Sequence, residues 1–288
     1  MSTTSDTTTE HSAKYSCFRI TIEDNFANVR MSRAEQHNSM NAAFWKELPL
    51  VIDEIEANAA VRAVVLSAEG KSFSSGMDLS VFTKQSLLAT ETTVQRERLR
   101  RLVLHLQSVF DRVARCRVPV IAAIQGACIG GGVDLAAACD LRYATAGAFF
   151  TVHEINLGMM ADLGTLQRLP HLMPEALVRE LALTGDKLSA EKAKAAGFVG
   201  EVLADADALM QHATTVAKKI AVRSPMAILG TREALRYARS HTLEDALDMA
   251  ATWQAAIFSS ADVMASVKAQ KEGAAPVYAD LETSTIEL

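Results

Sequence analysis

The chain has 288 residues, 49% hydrophobic and 22% charged, with a net charge of −5 at neutral pH. That length and balance allow one large globular core with room for a helical appendage, and they exclude a disordered or fibrous polymer. An acidic chain offers no broad basic surface, so neither nucleic acid nor an anionic membrane is an expected partner.

Residues 1–16, MSTTSDTTTEHSAKYS, are rich in Ser and Thr and carry Asp6 and Glu10. They fit neither an apolar signal region nor an Arg-rich transit peptide, and a disordered tail is expected there. Phe18 to Ile22 and Asn28 to Met31 alternate as two early strands. Asn41 then precedes the apolar stripe Phe44, Leu48, Val51, Ile52 and Ile55, which predicts a helix from Asn41 to Asn58. Pro49 lies inside it and predicts a kink or a break near Leu48. Ala63 to Leu66 reads as a buried strand. Leu99, Leu102, Val103, Leu106, Phe110 and Val113 form the next amphipathic helix.

Val118 to Cys139 is apolar enough to require a membrane test, which it fails. Gln125, Asp134 and four glycines fall in its middle, and a turn splits it into a strand, Val118 to Ile124, and a helix beginning near Gly132. Short strands are expected at Leu141 to Ala144, Phe149 to Val152 and Val199 to Val202. From about Asp205 the pattern is helical alone, through Ala213 to Val222, Met226 to Tyr237, Leu243 to Phe258 and Val263 to Lys271. No repeat of 20 to 50 residues is visible.

The stretch from Ile124 to Gln167 concentrates the chemistry. Gly130-Gly131-Gly132 precedes three acids, Asp134, Glu154 and Asp162, in an otherwise apolar region. A carboxylate such as Asp134 within VDLAAAC needs a partner or a changed protonation state, because an isolated buried charge costs several kcal/mol. Each feature also has a plain structural reading. The glycines suit a tight strand-to-helix turn, Asp134 an acid in a first helical turn, Glu154 a surface position, and Asp162 an N-cap for a helix starting near Leu163. The glycine string is neither G-x-G-x-x-G nor a P-loop, and His153-Glu154 has no second histidine four residues on. Cys17, Cys116, Cys128 and Cys139 show no C-x-x-C pairing. No metal and no separate cofactor is expected, and reduced thiols point to the cytoplasm. The C-terminal Ile-Glu-Leu is not a Ser-Lys-Leu address.

Several spaced segments carry a resemblance. They are RAEQHNSMN from Arg33, SFSSGMDL from Ser72, AAIQGACIGGGVDLAAACDLRYA from Ala122, and HEINLGMMADLGTLQRLP from His153. In these segments, and over Phe18 to about Lys271, the chain resembles the enoyl-CoA hydratase/isomerase (crotonase) superfamily. The last segment is most similar to the Δ3,5-Δ2,4-dienoyl-CoA isomerases, which the resemblance implies carry acids at Asp134, Glu154 and Asp162. The implied fold is an α/β spiral of ββα turns followed by helices that build a homotrimer or a homohexamer. It divides the chain into a tail at 1–16, an acyl-CoA-binding core at 17–204 and a helical oligomerisation region at 205–288.

Removing a proton beside a thioester carbonyl places negative charge on the thioester oxygen. Two backbone N–H groups aimed there stabilise the enolate without adding a titratable group, and losing one such donor costs about 10² to 10³ in rate. The resemblance implies that these donors are the amides of Met77 and Gly131. It implies that Asp134, Glu154 and Asp162 are the catalytic acids, with Glu154 exchanging the proton at C2 and Asp162 protonating C6. Asp134 takes the place of a hydratase glutamate, one methylene shorter, so hydration should suffer. The same carry-over makes Arg33, His37, Ser75, Gly76, Asp78, Gly130, Phe82, Met159, Phe258 and Lys271 substrate-binding residues. Arg33 and Lys271 would meet coenzyme A phosphates, while Phe82, Met159, Met160 and Phe258 would line the acyl pocket. As plain residues, the two cations are surface charges and the methionines core filler.

An enzyme acting on unsaturated acyl-CoA is therefore expected, with coenzyme A as part of the substrate. Isomerisation of 3,5-dienoyl-CoA to 2,4-dienoyl-CoA stands first, with 2-enoyl-CoA hydration as its alternative. The alternative of a different class is a catalytically dead CoA-binding or RNA-binding scaffold.

Overall fold

A computed structural model describes residues 9–10, 14–81 and 89–283. Phe82, most of the N-terminal tail and the final Ile-Glu-Leu lie outside these residues. Within the expected tail, Thr9–Glu10 (β1) pairs with Phe18–Glu23 (β2). Tyr15 is buried and donates to Glu54, and Glu47 accepts from the amides of Ser16 and Cys17. The chain thus joins the core before residue 17, because Tyr15 carries an apolar ring that the helix beside it can cover.

The larger sheet holds seven strands in the order β1-β2-β3-β4-β5-β7-β10. The remaining members are Phe26–Met31 (β3), Ala63–Ala68 (β4), Val120–Ile124 (β5), Leu141–Thr145 (β7) and Glu201–Leu203 (β10). β1 to β3 pair antiparallel and every later neighbour is parallel. A second sheet of three strands joins Ala127–Ile129 (β6), Phe149–Thr151 (β8) and Lys187–Ser189 (β9). β5 and β6 are two residues apart yet belong to different sheets, so the chain turns a corner at Gln125-Gly126. Gly126 has φ +58°, and a Cβ there would sit 1.9 Å from the Lys71 carbonyl oxygen, so the corner requires glycine. β7 and β8 divide between the two sheets in the same way.

Strand alternation explains how both faces of the large sheet are covered. Val64 and Leu66 of β4 face the main core with Phe18, Phe44, Trp45 and Phe110. Ala63 and Val65 face the other side, against Leu209, Ala213 and Ala217 of the Ala206–Ala221 helix. The rings of Phe18, Phe44, Trp45 and Phe110 form a chain with centroids 5.1 to 5.4 Å apart. Burial of each such ring contributes about 2 to 3 kcal/mol.

Asn41 caps the Ala42–Glu56 helix, its Oδ1 accepting from the Phe44 N–H at 3.0 Å. The break expected near Leu48 does not occur, and the helix continues through Pro49. Pro49 removes the N–H that would reach the Trp45 carbonyl, but buried side chains on both sides, from Phe44 to Ile55, hold the two halves in register.

The C-terminal region is helical as expected: Ala206–Ala221, Pro225–Ala238, Leu243–Ile257 and Ser260–Glu272. The Leu243–Ile257 helix buries none of its residues, and Leu243, Leu247, Phe258 and Met264 are exposed. No helix of the described residues is long and apolar enough to cross a membrane, and their four cysteines are free and buried.

Candidate active site

β6 ends at Ile129 and the chain passes through Gly130, at φ +51°, into the Gly131–Ala138 helix. Each glycine of the triplet answers a different neighbour. A Cβ would stand 3.0 Å from Glu154 Oε1 at position 130, 3.0 Å from Met40 Sδ at 131, and 3.1 Å from the Ser74 side chain and carbonyl at 132. The triplet therefore lets the Glu154 carboxyl, Met40 and the Ser74 loop close onto one helix N-terminus. Gly131 is the first residue of that helix, so its N–H has no carbonyl partner within it.

The Ser72 to Leu79 loop is held against this turn by backbone bonds. Ser74 bridges to Cys128 of β6, its N–H donating to Ala127 O and its carbonyl accepting from Ile129 N–H, both at 3.0 Å. Gly76 has φ +83°, and a Cβ on it would lie 2.6 Å from Ile129 O and 3.2 Å from Gly131 N. Met40 and Met77 form an isolated parallel bridge in which Met40 N–H donates to Gly76 O and Asp78 N–H donates to Met40 O. That pairing uses the amides flanking Met77 and turns the Met77 N–H away from Met40. The backbone around Met77 and the Gly131 amide thus meet at one place.

Glu154 opens the 3-10 turn Glu154–Leu157 just after β8, and Gly158 closes the turn in the left-handed region. Its carboxyl is raised from the usual range, chiefly by burial and further by the charge of Asp162, and its Oε2 is buried without a partner. Burial also raises Asp162. Asp162 does not cap a helix. The Thr165–Arg168 helix has Gly164 at its N-cap with no side-chain bond, and the acid that reaches its first amide is Asp134. Asp134 Oδ1 accepts from the Thr165 N–H at 2.6 Å, while its Oδ2 has no partner. Asp134 is only 1% exposed, and burial pushes its acid up to about 7, with a further push from Glu154 and an opposing pull from Thr165.

A cavity of about 770 Å³ opens in front of these groups. Ser75, Gly76, Met77, Asp78, Gly130, Gly131, Glu154, Met159 and Asp162 all line it, so the structure brings together most of the residues singled out from sequence. Asp134 does not line it. Asp78 is held near 2 by the Ser80 side chain and amide, then by Ser39 and Arg33, so it faces the cavity ionised. Arg33 is turned onto Asp78, at 3.4 Å, and onto the Ser39 carbonyl. It does not line the cavity, nor does His37, whose Nδ1 lies 3.3 Å from Ser72 Oγ. Phe258, 60% exposed, belongs to a separate cavity between the C-terminal helices, and Lys271 lines neither.

The apolar wall of the cavity comes largely from residues to which sequence reasoning assigned no binding role. In the Thr93–Ala114 helix only Val109, Phe110 and Val113 are buried, whereas Leu99, Leu102, Val103 and Leu106 line the cavity. Leu79, Val81, Leu157, Met160 and Leu163 complete the apolar lining of the cavity that also holds the two acids. A volume within the usual range for small-molecule sites, apolar walls and a few convergent polar groups suit a ligand with a long hydrocarbon part. No group of three or more metal-ligating side chains is found among the described residues.

Comparison with known proteins agrees with this architecture. The family model for enoyl-CoA hydratase/isomerase matches residues 21–281. A mitochondrial Δ(3,5)-Δ(2,4)-dienoyl-CoA isomerase of Rattus norvegicus is 42% identical over 85% of this chain and 76% of its own length. The peroxisomal enzyme of that name from Arabidopsis thaliana is 40% identical over 87% of this chain and 91% of its own. The crystal structure of an enoyl-CoA hydratase from Bacillus anthracis superposes with a TM-score of 0.83 at 29% identity, covering 91% of this chain and 99% of that one. The two sheets and trailing helices are therefore the crotonase fold expected from the sequence. The chain belongs to the enoyl-CoA hydratase/isomerase (crotonase) family and is an enzyme of its dienoyl-CoA isomerase and enoyl-CoA hydratase branch.

Proposed function

We propose that the enzyme converts 3,5-dienoyl-CoA to 2,4-dienoyl-CoA by moving a proton from C2 to C6. The observation that carries this reading is that Glu154 and Asp162 line one apolar cavity together with Met77 and Gly131. Glu154 removes a proton from C2, and the electrons spread from C2 across both double bonds and onto the thioester oxygen. The Met77 and Gly131 amides receive the charge on that oxygen. Asp162 then delivers its proton to C6, which leaves double bonds at C2 and C4. Glu154 ends protonated and Asp162 ionised, and exchange with solvent resets the pair. Burial raises both acids, which brings an ionised base and a protonated acid closer to coexistence near neutral pH. Relatives named dienoyl-CoA isomerase at about 40% identity support the substrate class.

Hydration of 2-enoyl-CoA is the second reading, favoured by the likeness to solved enoyl-CoA hydratases. Against it, Asp134 stands behind the cavity wall and is poorly placed to activate a water over the double bond. A dead CoA-binding or RNA-binding scaffold would have no use for three acids with raised protonation. The apolar face of the Leu243–Ile257 helix supports assembly as a homotrimer or a homohexamer, and four free cysteines support a reducing compartment such as the cytoplasm.

Ultraviolet spectroscopy tests the assignment. With 3,5-dienoyl-CoA the enzyme should generate the absorbance of a diene conjugated to the thioester, whereas hydration of 2-enoyl-CoA removes conjugation. Wild-type enzyme that hydrates 2-enoyl-CoA and leaves 3,5-dienoyl-CoA unchanged overturns the proposal.

A further inference from the structure

We propose that Asp134 is a positioning residue that holds the start of the Thr165–Arg168 helix, and through it the Asp162 carboxyl, against the cavity without itself exchanging a proton with the substrate. The inference rests on the reading of Glu154 and Asp162 as the proton-transfer pair.

Asp162 lies in a short irregular stretch, Ala161 to Gly164, that leads into a helix of four residues. One helical turn does not stand by itself, since nucleation is unfavourable and its first amides lack partners. Gly164 supplies no side chain to cap it, and a Cβ there would collide with the Arg168 guanidinium. The missing acceptor comes from another helix: Asp134 Oδ1 takes the Thr165 N–H at 2.6 Å. Two further anchors hold the same stretch from the Thr93–Ala114 helix. Gln107 Nε2 donates to the Asp162 carbonyl at 2.6 Å, and Arg168, which donates to the Leu163 carbonyl, pairs with Asp111 at 2.6 Å.

Gln107 fixes the backbone at Asp162 from one side, and Asp134 fixes it three residues later from the other. Loss of either anchor frees the carboxyl to move relative to the bound chain, and a displacement of about 1 Å in a reacting group can cost on the order of 10²-fold in rate. Asp134 itself is 1% exposed and absent from the cavity wall, so the substrate does not reach it. What it supplies is an acceptor oxygen, and an amide supplies the same. Its Oδ2 makes no hydrogen bond, so turning that atom into an amide nitrogen breaks none.

Asp134→Asn and Asp134→Ala, compared with Asp162→Asn, separate the two roles. Asp134→Asn should keep kcat for 3,5-dienoyl-CoA within about threefold of wild type, with both limbs of the pH profile in place. Asp134→Ala should lose about 30-fold or more in kcat with little change in KM, so that the conservative variant rescues what truncation destroys. Hydrogen exchange at the Thr165 amide should remain slow in Asp134→Asn and become fast in Asp134→Ala. An Asp134→Asn enzyme as impaired as Asp162→Asn overturns the proposal, and so does a protected Thr165 amide in Asp134→Ala. If Asp134→Ala does not fold, Asp134→Asn alone decides. If the wild type fails to isomerise the diene, the functional reading falls, and the exchange measurement still judges the anchor.

Discussion

Replacing Asp134 by Asn also measures what it costs to bury this carboxyl. Its acid stands at about 7 in the folded protein against an ordinary 3.8. Between those values the unfolded chain releases a proton that the folded chain keeps, so each rise in pH favours the unfolded state. The loss begins near pH 4, grows until about pH 7 and then levels off. At roughly 1.4 kcal/mol per tenfold, burying this carboxyl costs about 1 kcal/mol at pH 4.5 and about 4 kcal/mol at pH 8. Asn carries no such proton. The difference in unfolding free energy between variant and wild type should therefore shift by about 3 kcal/mol in favour of the variant from pH 4.5 to pH 8. Urea unfolding followed by the fluorescence of Trp45 and Trp253, at one fixed protomer concentration, reads this shift. A difference that stays constant within about 1 kcal/mol across the range refutes a neutral buried acid at position 134.

Other outcomes follow from the same geometry. Glu154→Gln should lower kcat on 3,5-dienoyl-CoA by about 10² to 10⁴, while Asp162→Asn should cripple isomerisation and spare any hydration of 2-enoyl-CoA; isomerisation that survives Asp162→Asn intact removes Asp162 from the role of C6 acid. Because burial raises both acids, the kcat profile should be bell-shaped, falling at low pH as Glu154 is protonated and at high pH as Asp162 ionises; a flat profile from pH 5 to 9 contradicts this. Leu102→Trp, in the cavity wall, should raise KM for long acyl chains more than for short ones, by about tenfold; an equal effect at all chain lengths removes the helix from the acyl wall. Gly130→Ala should reduce kcat severely, because the added methyl meets Glu154 Oε1 at 3.0 Å and the backbone sits at φ +51°, a conformation that costs a non-glycine residue about 1 kcal/mol or more.

Strands long enough to alternate or to run continuously apolar were readable from the residues, which is why β2, β4, β5 and β7 fall where the pattern puts them. β6 and β9 have three residues each and lack an aromatic pair such as the Phe149-Phe150 that marks β8, and what defines them is pairing to β8. The stripe Leu99, Leu102, Val103 and Leu106 was visible, but periodicity alone gives an apolar face and not what covers it. Phe110 and Val113, which continue that face, meet the core, while the four leading residues meet a cavity. Pro49 predicted a break from local chemistry, and tertiary packing on both sides overrode it. Glu154, Asp162, Met77 and Gly131, which line one cavity, were recognisable as candidates because each sits in a motif. The bond from Asp134 to Thr165 spans 31 positions and joins two helices, and no local pattern announces it.

The corner at Gly126 has a consequence for how the molecule tolerates change. The Lys71 carbonyl presses into the space a side chain would need there, Phe73 N–H donates to Gln125 O, and Gln125 Nε2 reaches the carbonyls of Ala68 and Gly70. The passage between sheets and the root of the Met77 loop are thus one welded joint. Mutations that distort the joint should injure turnover and folding together, whereas substitutions at Leu79 and Val81, which line the cavity past the joint, should reshape the cavity wall while the backbone at Met77 stays where it is.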